Sequence, residues 1–178
     1  ASFLFGVAVG NSMIGIPLNE RGVVTGSLAA LLNPYAVLAG LTVVAMFAMH
    51  GALYLFLKIP HGEMHDRVGK WIWHTWGIFL VLYVLGSMYT LVAIPRATAN
   101  FERHPWAAVI VVVNVLAVAN IPRSVFRAQP FHAFVSSGVT IMALVALFGL
   151  ALWPNLVTAS NNPAHSLTIY NAASSAQT

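Results

Sequence analysis

The sequence predicts an all-α protein, a polytopic bundle of transmembrane helices. Of its 178 residues, 59% are hydrophobic and 7% are charged, whereas an ordinary soluble domain has about 25% charged residues. The mean hydropathy is +0.81. The apolar residues are gathered into long runs, and a helix needs about 20 such residues to cross the hydrocarbon core. A chain of this composition is suited to a bilayer rather than to water.

Four runs are long enough to be complete spans, and they are predicted at about 34–58, 71–94, 105–121 and 131–153. Proline is accepted in the first turn of a helix but removes a hydrogen bond further along. Pro34 and Pro105 therefore mark helix starts, while Pro95 and Pro122 mark helix ends. All five tryptophans lie near span ends, where an aromatic belt is expected. The bundle is predicted to contain no strands.

The two ends of the chain differ from its centre. Residues 1–9 are apolar but too short to cross a membrane, so they are predicted to be part of a helix. Residues 154–178 form a polar tail for which no partner is expected. We interpret residues 1–178 as a single, incomplete membrane domain that is an interior piece of a longer protein.

Basic residues near the span ends predict the orientation. Lys and Arg are retained on the cytoplasmic side of a membrane, and the connections after the first and third complete spans must share a side. They hold more basic residues than the other side does: Lys58, Arg67, Lys70, Arg123 and Arg127, against Arg21, Arg96 and Arg103. This bias predicts that residues 59–70 and 122–130 are cytoplasmic. The net charge of +4 is spread between apolar runs, so no nucleic-acid surface is predicted.

Several kinds of chemistry are excluded by the residue types. The chain has no cysteine, so disulfides, cysteine-ligated clusters and covalently attached c-type haem are excluded. The acidic residues all fall in predicted loops. The stretch "HGEMH" at 61–65 differs from the zinc signature H-E-x-x-H, because Gly62 occupies the place of the glutamate. We predict no metal site and no catalytic residue.

The histidines of the spans differ in depth. His50 lies eight residues before Lys58, which corresponds to about 12 Å along a helix. His74 and His132 lie close to span ends and are interpreted as interface residues. Two axial histidines of one haem must share a depth, so haem ligation within this chain is not favoured.

Three deep residues are the candidates for binding a cofactor: His50, Tyr54 and Asn114. An ionisable side chain at this depth indicates a proton relay, a ligand or a quinone contact, or else a neutral histidine that bridges two helices. Tyr54 lies one turn from His50 and could share a hydrogen bond with it. Asn114 is interpreted as an interhelical hydrogen-bonding group. Small residues on the other face of this helix are predicted to contact a neighbouring helix: Ala45, Ala48 and Ala52.

Two other classes of protein compete with this interpretation. A small permease or channel would use His50 and Asn114 to line a substrate route, but it should show paired broken helices in two related halves. No such symmetry is visible in the sequence. A stand-alone b-type haem protein would need two histidines at one depth.

Three stretches resemble, in this order, the second half of subunit II of cytochrome bd-type quinol oxidases. They are "GVAVGNSMIGIPL" (6–18), "LLNPYAVLAGLTVVAMFAMHGALYLFLK" (31–58) and "WPNLVTASNNPAHSLTIYNAASS" (153–175). The shared features are G-N followed by G-[IV]-P, an L-N-P-[FY] helix start, [HQ]-G-A-x-Y, and S-L-T-[IM]-[YW]-[ND]-A-[AS]-S-S. The resemblance covers nearly the whole chain.

The resemblance implies a subunit of a respiratory oxidase in the cytoplasmic membrane of a bacterium or archaeon, which oxidises quinol and reduces dioxygen to water. It implies that subunit I, the heterodimer partner, holds the b-type and d-type haems. This chain would hold no haem, although a bound quinone or lipid fits the family. The acidic residues of the family's proton path lie in early helices that are absent here, so no catalytic residue is carried over. His50 occupies a position where the family accepts His or Gln, which favours a hydrogen-bonding role.

Overall fold

Six α-helices dominate the part of the chain that the structure describes, and this confirms the predicted fold class. The structure is a computed structural model that describes residues 1–172, without the side chain of Arg96. Four of its helices are long and apolar enough to cross a membrane. The helices are α1 (Ser2–Ile14), α2 (Pro34–Lys58), α3 (Glu63–Ala93), α4 (Arg96–Arg103), α5 (Ala108–Phe126) and α6 (Pro130–Leu152).

Helix α2 has the boundaries that the sequence predicts. Asn33 is the residue before the helix, and its side-chain oxygen accepts a hydrogen bond from the backbone N–H of Ala36 at 2.9 Å. Pro34 occupies the first turn, where its missing N–H is not needed. The helix ends at Lys58, whose positive charge suits the negative end of the helix dipole.

Helix α3 begins at Glu63, so the predicted start at residue 71 is wrong by eight residues. Pro60 and Gly62 lie in the short connection 59–62 and do not enter the helix. Glu63 and Asp66 occupy its first turn, where negative side chains are favoured by the helix dipole. They and Glu102, which lies in α4, are therefore in helices, and their predicted placement in loops is wrong. The 31 residues of α3 span about 46 Å, so the helix is longer than the hydrocarbon core of about 30 Å.

Helix α5 continues past Pro122 to Phe126, so the predicted end at residue 121 is also wrong. Pro122 has no N–H to donate to the carbonyl of Val118, four residues earlier. The indole Nε1–H of Trp76 in α3 donates to that carbonyl at 3.2 Å. The freed oxygen is thus satisfied from a neighbouring helix, and the helix can accommodate the proline. A 3₁₀ turn, Pro105–Ala107, precedes α5.

Glycines bring α1 and α2 into close contact. A Cβ atom placed on Gly6 would lie 2.7 Å from the Cα of Gly40, and one placed on Gly10 would lie 2.7 Å from the Cα of Ala36. Helix α1 reaches Ile14, beyond the predicted residue 9. The predicted small-residue contact of α2 thus lies nearer its start than expected. Of the three predicted alanines, Ala45 is buried, Ala52 is partly buried and Ala48 is exposed.

The largest buried cluster lies where α2, α3, α5 and α6 meet. Its largest fully buried side chains are those of Met49, Leu53, Ile72, Phe79 and Ile121. The outer faces of the long helices also carry exposed apolar side chains, as expected where lipid replaces water as the solvent.

The residues after α6 form a small sheet, so the expectation of no strands is wrong. Strand β1 (Asn155–Val157) pairs antiparallel with β2 (Leu167–Thr168). Asn161 binds the turn after α1 through both ends of its amide: Oδ1 accepts from Leu18 N at 3.1 Å, and Nδ2 donates to Leu18 O at 2.8 Å. The tail predicted to lack a partner is therefore attached to residues 16–18 as far as the structure describes it. Residues 173–178, which include the end of the quoted tail motif, lie outside the described residues.

Candidate functional site

His50 joins α2 to α6. Its Nδ1 lies 2.7 Å from the hydroxyl oxygen of Ser137. Its ring stacks on Phe134, with 4.7 Å between the ring centroids and 27° between the planes. Both partners belong to α6, one turn apart, so the deep histidine makes one polar and one aromatic contact with the same helix.

The hydrogen bonds around Ser137 assign the proton of His50. The Ser137 hydroxyl donates to the carbonyl of Phe134 at 2.7 Å. A serine hydroxyl carries one proton, so its oxygen must then accept the second bond from the Nδ1–H of His50. In a neutral imidazole the other nitrogen, Nε2, is an acceptor. His50 therefore acts as a hydrogen-bond donor toward α6.

Tyr54 lies beside the same phenylalanine but does not pair with His50 as predicted. Nδ1 of His50 is occupied by Ser137. The Tyr54 side chain is 47% exposed, and its ring is tilted against Phe134 with 5.9 Å between the centroids. His50 and Tyr54 thus lie next to one aromatic ring at the outer side of the α2–α6 contact.

Asn114 joins α5 to α3, in keeping with its interpretation as an interhelical group. It is fully buried, and its Nδ2 donates to the hydroxyl of Tyr83 at 3.0 Å. Its Oδ1 is buried and has no hydrogen-bond partner among the described residues. The Trp76–Val118 bond lies one turn further along α5. Two side-chain hydrogen bonds therefore connect α3 and α5.

The predicted residues are not brought together into one site. His50 belongs to the α2–α6 contact and Asn114 to the α3–α5 contact. A third hydrogen bond, from Asn120 Nδ2 to Ser136 Oγ at 2.9 Å, joins α5 to α6 beside Ser137. Ser136, Ser137 and Asn120 were not among the residues predicted from the sequence. They could have been found in the sequence because they are polar residues inside or at the end of otherwise apolar helices.

Three histidines of the long helices, His50, His74 and His132, have separate surroundings. His50 lies between α2 and α6. The Nδ1–H of His74 donates to the carbonyl of Lys70 at 2.9 Å on the exposed side of α3, and His132 is exposed at the start of α6. These three side chains make unrelated contacts, so they do not present paired axial ligands. Within residues 1–172 no three metal-ligating side chains converge.

Comparison with known proteins identifies the family. All of residues 1–178 match the family described as cytochrome bd terminal oxidase subunit II. The chain belongs to this family. The resemblance seen in the three sequence stretches is thereby confirmed.

Three bacterial relatives of the family match nearly the whole chain. Cytochrome bd-I ubiquinol oxidase subunit 2 of Escherichia coli K12 is 28% identical over 97% of this chain and 53% of its own length. Cytochrome bd ubiquinol oxidase subunit 2 of Bacillus subtilis is 23% identical over 97% of this chain and 50% of its own length. Probable cytochrome oxidase subunit 2 of Haemophilus influenzae is 27% identical over 98% of this chain and 53% of its own length. The chain spans about half the length of these relatives.

Family membership and the four long apolar helices together define the class of protein. The chain is a multi-pass membrane protein of the bacterial cytoplasmic membrane, and its family is that of a terminal oxidase subunit.

Proposed function

We propose that this chain forms part of subunit II of a terminal oxidase that oxidises quinol and reduces dioxygen to water, and that it supports a haem-bearing subunit I in a heterodimer. The observation that carries the supporting role is the contact of His50 with Ser137 and Phe134. A histidine deep in a span is by default a candidate for chemistry. Here its Nδ1 and its ring face both serve to hold two helices together.

In this proposal subunit I holds the b-type and d-type haems. The separate contacts of His50, His74 and His132 support that assignment, because these three side chains are not paired as axial ligands. The side chains of this chain then act by packing and hydrogen bonding rather than by reacting.

A quinone or quinol bound by this chain would be placed best beside Phe134. The Nε2 of His50 can accept a hydrogen bond from a quinol hydroxyl, and the exposed Tyr54 hydroxyl can donate to a quinone carbonyl. Asn114 is less suited to this role because it is fully buried. The His50–Tyr54 face is thus our proposed quinone contact.

The alternative of a permease or channel receives no support from these contacts. It required His50 and Asn114 to line one route through the membrane. Their side chains instead belong to two different helix contacts, α2–α6 and α3–α5.

The proposed function is tested by isolating the full-length protein with its partners. An affinity tag on this protein should co-purify a haem-containing subunit, and the complex should consume oxygen when ubiquinol is supplied. Membranes from a strain that lacks this protein are the control. A tagged protein that is isolated in folded form without haem and without quinol-dependent oxygen uptake would overturn the proposal.

A further inference from the structure

A cavity of about 340 Å³ lies on the first turns of α3, lined by Arg67, Lys70, Trp71 and His74. Their spacing of three and four residues places them on one face of the helix. This face points away from the core, because Trp71 is 66% exposed whereas the next residue, Ile72, is buried.

The cavity lies at the level of the membrane surface. Near the start of α3, the ring of His65 stacks on Phe56 of α2 with 4.2 Å between the centroids, and α2 ends two residues later at Lys58. Residues 67–74 therefore begin level with the end of α2 and extend about 10 Å along the helix. Tryptophan favours this interfacial level, and long basic side chains can extend from it toward water.

The charges that line the cavity are positive. Arg67 pairs with Glu63, but both side chains are largely exposed, at 70% and 81%, so this bond is weak and exchangeable. Lys70 forms no ion pair with any described residue. Arg67 and Lys70 follow Glu63 and Asp66 by four residues, a spacing that favours ion pairs within a helix. Arg67 makes that pair, whereas Lys70 does not.

Below the cavity, the same face of α3 is apolar. Ile78, Val81 and Leu85 continue the helical stripe and are 57%, 58% and 50% exposed. An open and largely apolar groove that Arg67 and Lys70 help to line, above an apolar stripe, matches a molecule with an anionic head and hydrocarbon chains.

We propose that this face of α3 binds an anionic phospholipid of the phosphatidylglycerol type. Lys70 and Arg67 bind the phosphate, Trp71 contacts the glycerol region, and an acyl chain lies along Ile78 and Val81. Basic cavities at the ends of transmembrane helices recognise lipid headgroups through these charges. The inference concerns a surface that neither haem nor quinone is proposed to contact, so it stands apart from the proposed function.

The test uses the complete oxidase in detergent, with bound phosphatidylglycerol counted by native mass spectrometry during a lipid titration. Replacing both basic residues (Arg67→Gln with Lys70→Gln) should weaken lipid retention about fivefold for each charge removed. Lys58→Gln is the matched control, since it removes a basic residue at the same end of the bundle outside the cavity. An equal loss of lipid retention in the double variant and in Lys58→Gln, or no loss in either, would overturn the proposal.

A second measurement leaves the basic residues intact. Brominated phosphatidylglycerol should quench tryptophan fluorescence more strongly than brominated phosphatidylcholine, and Trp71→Phe should abolish that difference. Inorganic phosphate should not displace the brominated lipid. Displacement by phosphate would assign the cavity to a free anion, and equal quenching by the two lipids would exclude headgroup recognition; either result contradicts a lipid site.

Discussion

At the scale of single residues, His50 is the clearest case of a polar group given a structural partner in the membrane. We predict that His50→Gln in the complete oxidase retains haem content and oxygen uptake, because a glutamine amide can still donate to Ser137. His50→Leu should leave the Ser137 hydroxyl oxygen without its donor, at a cost of about 1–3 kcal/mol. Haem spectra and oxygen uptake of the two purified variants measure the retained function, and thermal unfolding measures the loss of stability.

Ser137→Ala is the matched control for His50. It removes the same hydrogen bond from the other side, so combining it with His50→Leu should add little further loss of stability. A proton relay predicts another pattern, because glutamine cannot titrate. If His50→Gln assembled fully but turned over slowly, the hydrogen-bonding role would be wrong.

Trp76 provides a second prediction at this scale, through the carbonyl that Pro122 leaves free. Trp76→Phe should destabilise the protein by about 1–3 kcal/mol, because the buried oxygen of Val118 loses its donor. Adding Pro122→Ala should restore much of that loss, since an alanine N–H can donate to Val118 within the helix. Thermal unfolding of the single and double variants measures the recovery.

Trp73→Phe is the control for Trp76, since its side chain is 45% exposed and lies on the same helix. It should have little effect on thermal unfolding. An equal loss in Trp73→Phe, or no recovery in the double variant, would mean that the indole hydrogen bond does not stabilise the proline-containing helix.

At the scale of helices, the α1–α2 contact depends on glycine. Gly6→Ala should destabilise the bundle by about 1–3 kcal/mol, because its Cβ would lie 2.7 Å from the backbone of Gly40. Gly51→Ala in α2 is the matched control: nothing lies within 4 Å of a Cβ there, and alanine favours a helix by up to about 1 kcal/mol. The unfolding temperature should therefore fall in Gly6→Ala and rise slightly in Gly51→Ala. Equal shifts would contradict a close contact between the two helices.

The four long helices could be predicted from the sequence, but the short helix α4 could not, and the end of α1, the start of α3 and the end of α5 were predicted at the wrong residues. The boundaries of α2 followed from Asn33, Pro34 and Lys58, which are local signals. The end of α5 depends on Trp76, a residue 42 positions from the Val118 carbonyl that it binds, and no local pattern reveals such a partner. The strands after α6 have three and two residues, too few for an alternating pattern to appear.

The candidate polar residues could also be predicted, but their partners could not. His50 and Asn114 stand out because a polar group in an apolar span is rare. Ser137 is 87 positions from His50, and helix packing alone decides that they meet. Tyr54 was expected to pair with His50 because it is one turn away, but Nδ1 of His50 bonds to Ser137 and the Tyr54 ring packs against Phe134.

At the scale of the whole molecule, loop charge gives a testable orientation. Cysteines introduced at Gly62 and at Glu102 in the full-length protein should be labelled from opposite sides of the membrane. The positive-inside bias predicts that Gly62 is cytoplasmic. Both positions are exposed, so a membrane-impermeant reagent can reach them. Labelling of Gly62 from outside intact cells would reverse the orientation.

The central claim is that the polar groups of this chain hold helices together, while the haems belong to the partner subunit. Counting haems in the purified oxidase that carries His50→Gln, His74→Gln and His132→Gln tests it most directly. The account predicts the same haem content per complex and the same b-type and d-type absorption bands as in the unchanged oxidase. Loss of one haem from an otherwise intact, folded complex would contradict it.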